Sequence, residues 1–186
     1  MLTSISPLGE RARGNRWGLT AACYVGASVV GGASMGGLLG AVGELAFPPL
    51  PLLAAAVLLV CAFADLTGLM PRGRRQVDED WLTRYRGWVY GSGFGFQLGL
   101  GVVTIVTSAA TYAVLALALL AGSFGVGLAV GATFGLVRAL PLLALRAADT
   151  PTAVRVAAQQ LDALRGVASR STLAVLAGAA VLLVAA

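Results

Sequence analysis

Long apolar runs alternate with short arginine-bearing links along most of this chain. Residues 1–16 are polar and basic, and an apolar stretch then runs from about Trp17 to Gly40. A link with Glu44, Pro48 and Pro49 leads to a second apolar stretch over 51–69. The most charged segment, 71–86, carries Arg72, Arg74, Arg75, Asp78, Glu79, Asp80, Arg84 and Arg86. A third apolar region covers 88–120, Ala121-Gly122-Ser123 makes a tight turn, and a fourth covers 124–145. Residues 146–170 are polar again, and a last apolar run extends over 171–186. Runs of about 20 apolar residues match the roughly 30 Å hydrocarbon core of a bilayer. The pattern predicts an all-α polytopic integral membrane protein, a single transmembrane domain of about five helices.

Two of these runs are unusual in length. A straight helix over 88–120 would reach about 50 Å. It must tilt, begin outside the bilayer, or break, and Gly91, Gly93, Gly95, Gly99 and Gly101 favour a break. The run 171–186 would reach only about 24 Å unless it starts before Arg170. Between them, 151–169 reads as an amphipathic helix. Val154, Ala157, Leu161, Leu164 and Ala168 form its stripe, and Thr150 and Pro151 open it. Such a helix is expected along the inner membrane surface.

Composition supports the membrane class. The chain of 186 residues is 58% hydrophobic and only 11% charged, too few charges to cover a water-facing surface. All 13 basic residues are arginine, there is no histidine, and the net charge is +5. Twelve of the arginines lie in 1–16, 71–86 and 146–170, which an in-to-out first span places on one side. The other side carries Glu44 alone. The positive-inside rule therefore puts the N-terminus in the cytoplasm of a bacterial inner membrane. The same pattern explains the basic charge without nucleic acid. The first apolar run is too long for a signal-peptide core, so it reads as a retained span.

Glycine recurs every fourth residue in three spans: Gly32, Gly36, Gly40; Gly91, Gly95, Gly99; and Gly127, Gly131, Gly135. Each set lies on one helix face and lets backbones approach closely, so the spans are expected to be glycine-zipper packed. The leucine- and alanine-rich second span is expected at the periphery. Trp17 and Trp88 are 71 apart, and Met70-Pro71 and Leu140-Pro141 are 70 apart. These spacings suggest parallel two-helix repeats over 17–71 and 88–141.

Candidate chemistry is sparse. Arg138 and Asp65 sit inside apolar spans at similar depth, where isolated charges are costly and a pair would relieve both. Gln97, Thr104, Ser108 and Thr111, with Thr107 beside them, form a polar stripe of the third region. Cys23 and Cys61 occupy separate spans and admit a thiol–disulfide reading. Imidazole chemistry is excluded, and no catalytic dyad, metal cluster, phosphate-binding loop or nucleotide fingerprint is present, so neither an enzyme nor a cofactor is expected.

The Gly-Phe-Gly-Phe run within Tyr90 to Leu100, with Gly26 to Gly40, resembles the transmembrane family of DsbD and the CcdA-like cytochrome c biogenesis thiol carriers. The resemblance implies broken helices in the membrane and electron carriage by cysteines. The Pro-Cys pairs of that family have no counterpart here. The leading expectation is a small membrane protein that binds or transports a small solute or ion through Arg138, Asp65 and the polar stripe. The alternatives are a structural or accessory subunit of a membrane complex, with a membrane-protein partner or a second copy, and a thiol–disulfide carrier.

Overall fold

The structure is a computed structural model and describes residues 5–46, 48–68, 80–101 and 108–185. All regular structure among the described residues is helical. A short α1 (Pro7–Ala12) leads into the long α2 (Trp17–Ala46), followed by α3 (Pro51–Thr67) and a single turn, α4 (Trp81–Arg84). Next come α5 (Gly87–Leu100), α6 (Ala110–Leu120), α7 (Phe124–Ala139), α8 (Pro151–Ala163) and α9 (Arg165–Ala185). Ser6 caps α1 by accepting from the Gly9 N–H, and Pro7 fills its first position. Gly68, at φ +67°, ends α3 in the left-handed conformation that other residues avoid. Pro141 cannot donate to the ladder, and α7 passes into a 3-10 segment over Leu140–Leu145.

Among the described residues, three stretches are long and apolar enough to cross a membrane, against the five spans expected: Trp17–Ala46, Phe124–Leu145 and Pro151–Val184. The apolar region 88–120 holds two helices, α5 and α6, and α5 stops at Gly101 with φ +78°. The helix α3 is also short, at 17 residues. The last helix, α9, begins at Arg165 and spans 21 residues, about 31 Å of rise.

The long helix α2 is the axis of the fold because it carries small residues on two faces. One face meets α7 in antiparallel register. A Cβ on Gly32 would overlap the Gly131 carbonyl, one on Gly36 the Gly127 carbonyl, and one on Gly40 the Ser123 carbonyl. The other face meets α5 in parallel, with Gly91 against Thr20, Gly95 against Tyr24 and Gly99 against Ser28. The constant offset of 71 residues sets α2 and α5 side by side at matching heights. Backbones this close gain dispersion and Cα–H···O contacts that a side chain would prevent. Ser28 lies where the two faces meet and donates to the Gly135 carbonyl at 2.8 Å.

Two apolar clusters complete the bundle. The first joins Ile5, Tyr24, Leu82, Tyr90, Phe94, Leu142 and Leu145, with Val154 and Ala157 of α8 against it. The apolar stripe of α8 is thus partly spent on the protein. The second joins Ala55, Leu58, Cys61 and Ala62 of α3 to Ala113 of α6 and to Leu176 and Ala180 of α9. The second span, α3, lies at the periphery as expected: it packs chiefly on α6 and α9, outside the α2–α5–α7 core, and alanine gives it its close-packing face. The polar segments sort to opposite ends. Arg11 pairs with Asp149 at 3.3 Å at one end, and at the other Glu44 accepts from the Phe124 N–H at 2.9 Å.

Candidate functional site

In a bundle with so few charges, each buried polar group must be matched. Two polar centres stand out. The first lies at the break between α5 and α6. Asp65, near the end of α3, accepts from the Ser108 hydroxyl at 2.6 Å and the Ala109 N–H at 2.7 Å. Ser108 Oγ also accepts from the Ala110 N–H at 3.1 Å. A carboxylate from one helix thereby caps the start of another, where free N–H groups and the helix dipole favour negative charge. At the opposite side of the break, Arg138 of α7 donates to the Leu98 carbonyl at 3.1 Å. Its guanidinium lies 5.2 Å from the Phe134 ring centroid. Leu98 is in the last turn of α5, where unsatisfied carbonyls favour a cation.

Asp65 and Arg138 are therefore not partners of one another: each charge serves one end of the interrupted helix. Their spacing along α3 and α7 placed them at useful depths, and the break supplied partners that a continuous helix would not offer. The structure brings Ser108 to Asp65. It buries Thr111, whose methyl, with the Phe134 ring, backs Gly101, and it leaves Gln97 half-buried on α5. Thr104 and Thr107 lie outside the described residues. Both cysteines are free thiols, Cys61 buried in the second apolar cluster and Cys23 half-buried on α2. Among the described residues, no group of three or more histidine, cysteine or acidic side chains is placed to hold a metal.

The second centre was not anticipated. Glu10 of α1 is completely buried, and its carboxylate collects donors from three segments. Arg13 reaches it at 2.6 Å, the Thr20 hydroxyl of α2 at 2.8 Å, and the Tyr90 hydroxyl of α5 also donates to it. Asn15 Nδ2 donates to the same tyrosine oxygen at 3.3 Å. Gly87, the first residue of α5, lies against the carboxylate and Thr20, and a Cβ there would strike both. Burial alone would lower the Arg13 pKa, but the hydrogen bonds to Glu10 and Tyr90 outweigh it and hold the guanidinium above its usual value. A cation with a raised pKa keeps its stabilising contribution at every pH below its ordinary value, so Arg13 stays charged across the physiological range. A lone acid in a basic leader gave no local periodicity to flag Glu10.

In each centre a carboxylate accepts hydroxyl hydrogen bonds, from Ser108 to Asp65 and from Thr20 and Tyr90 to Glu10. Both satisfy buried charge and fix helix ends. No family model and no solved structure matches the chain. It is similar to curated proteins described as methylamine utilization protein MauF. The one from Methylophilus methylotrophus is 32% identical over 151 residues, 76% of this chain and 53% of the relative. That from Paracoccus denitrificans is 31% identical over 152 residues, 75% of this chain and 55% of the relative. That from Methylobacillus flagellatus is 31% identical over 135 residues, 68% of this chain and 48% of the relative. The chain spans about half the length of the curated relatives it matches. These relatives overturn the resemblance to the DsbD and CcdA-like family, which rested on a short glycine-phenylalanine run that any close-packed membrane helix can carry. They overturn the solute-transport reading and the thiol-carrier reading as well, since their description names neither activity.

Proposed function

We propose that this chain is a membrane-embedded accessory protein of methylamine utilization, acting as a rigid helical scaffold. The observation that carries the reading is the match to MauF proteins across three quarters of the chain. The architecture agrees with a supporting role. The buried charges are used to hold helix ends, and the glycine faces lock α2 between α5 and α7.

In this reading the bundle crosses a bacterial inner membrane five times, by α2, α3, the broken pair α5–α6, α7 and α9. Large apolar side chains left exposed on α3 and α9, such as Phe63, Leu66, Val181 and Leu182, face lipid. The arginine-rich end faces the cytoplasm. Partners are other membrane proteins of the same process or a second copy of the chain.

The test is an in-frame deletion in the source bacterium, grown with methylamine or with ammonium as sole nitrogen source. The deletion abolishes growth on methylamine, leaves growth on ammonium unchanged, and is repaired by the intact gene in trans. Equal growth of deleted and intact strains on methylamine would overturn the proposal.

A further inference from the structure

The two ends of the bundle differ in how their charges are used. At the far end, Glu44 is engaged by α7. At the N-terminal end, Arg16, Arg84, Arg86, Arg146 and Arg155 are all exposed. Ion pairs join Arg11 to Asp149 and Arg13 to Glu10, and neither includes any of these five. Five of the 13 arginines thus stand exposed at one rim with no ion pair among the described residues.

The fold brings these arginines to one level. Parallel packing of α2 and α5 at an offset of 71 sets Arg16 and Arg86, each immediately before its helix, side by side. Arg84 precedes Arg86 by two residues, and Arg146 follows Leu145 of the apolar cluster at this end. Trp88, 51% exposed on the first turn of α5, stands at the same level. Exposed tryptophan beside arginine is the pairing found where a membrane protein meets lipid headgroups. The basic residues are without exception arginine, whose planar fork binds phosphate oxygens in bidentate fashion, where lysine offers a point charge.

We infer that this rim is a docking surface for anionic phospholipid headgroups, and that the folded bundle is stabilised by an acidic leaflet. The inference rests on the membrane reading above. Charge complementarity selects the occupant: five exposed guanidinium groups that make no ion pair among the described residues, with Trp88 at their level, match the phosphates of an acidic leaflet.

The full chain is reconstituted in nanodiscs of phosphatidylcholine alone and of phosphatidylcholine mixed with phosphatidylglycerol, and thermal unfolding is followed in each. Phosphatidylglycerol raises the midpoint by about 4 °C or more, and added salt reduces the rise. The triple variant Arg16→Gln/Arg86→Gln/Arg146→Gln loses the rise, and the triple lysine variant at the same positions keeps most of it. Equal midpoints in the two lipids would overturn the inference while leaving the membrane reading intact. A similar rise from inorganic phosphate added to phosphatidylcholine discs would overturn a lipid source. Failure to enter either disc would overturn the membrane reading itself.

Discussion

At the scale of single residues, the decisive feature is that every buried charge described has a specific partner. Glu10 shows how much rests on one side chain, since its carboxylate draws α1, α2 and α5 together through Arg13, Thr20 and Tyr90. Glu10→Gln keeps the shape but removes the charge-assisted bonds. It is expected to cost about 2–3 kcal/mol, read as a lower unfolding midpoint in detergent or lipid discs. A midpoint equal to that of the native chain would show that the cluster does not hold the N-terminal segment. Asp65→Ala leaves the Ala109 N–H and the Ser108 hydroxyl without their acceptor. Loss of such a cap costs about 1–2 kcal/mol and should appear as faster amide exchange at the start of α6, with α2 unaffected. The sequence made Asp65 and Arg138 visible, because a charge in an apolar run stands out. It did not make their partners visible, because depth along a helix says nothing about where a neighbouring helix is interrupted. Glu10 was invisible for the opposite reason: a charge in a polar leader looks solvated until tertiary packing closes over it.

At the scale of helices, glycine placement explains most of the architecture. Spacing of four marked the contacting faces of α2, α5 and α7, and the partner of each face follows from which backbone lacks a Cβ opposite. Gly131→Ala puts a methyl against the Gly32 carbonyl and forces α2 and α7 apart, with a loss of several kcal/mol, about 3 or more. Gly26→Ala and Gly125→Ala are the controls. A Cβ at either position meets nothing within 4 Å, and helix propensity favours alanine, so stability holds or rises by up to about 1 kcal/mol. If all three variants behave alike, propensity rather than close approach governs these helices. Gly101 serves a different purpose. Its φ of +78° ends α5, and Gly101→Ala is expected to cost about 1–2 kcal/mol through backbone strain. The run of glycines before it suggested a break, but in sequence a glycine that packs and a glycine that turns look the same. The peripheral place of α3 was legible from its lack of glycine, but its partners were not, because the contacts with α6 and α9 are made by alanine, leucine and Cys61.

At the scale of the whole molecule, the account joins a polarised bundle to a process named by its relatives. Hydropathy and arginine placement are enough to propose how the bundle sits in a membrane, because both respond to the bilayer and not to any partner. They carry no information on methylamine, and the solute-transport reading went beyond them. That link comes from similarity that covers about half of each relative's length. The central claim is that the bundle lies in a membrane with its arginine-rich end inward, and its most direct test is two-sided labelling. Single cysteines at Ser123, in the turn between α6 and α7, and at Arg84, beside α5, are introduced into a chain freed of Cys23 and Cys61. Each is exposed to a membrane-impermeant thiol reagent in intact cells and in inside-out vesicles. The account predicts that position 123 reacts from the outside only and position 84 from the inside only. Reaction of both positions from one side, or recovery of the chain in the soluble fraction, would contradict it.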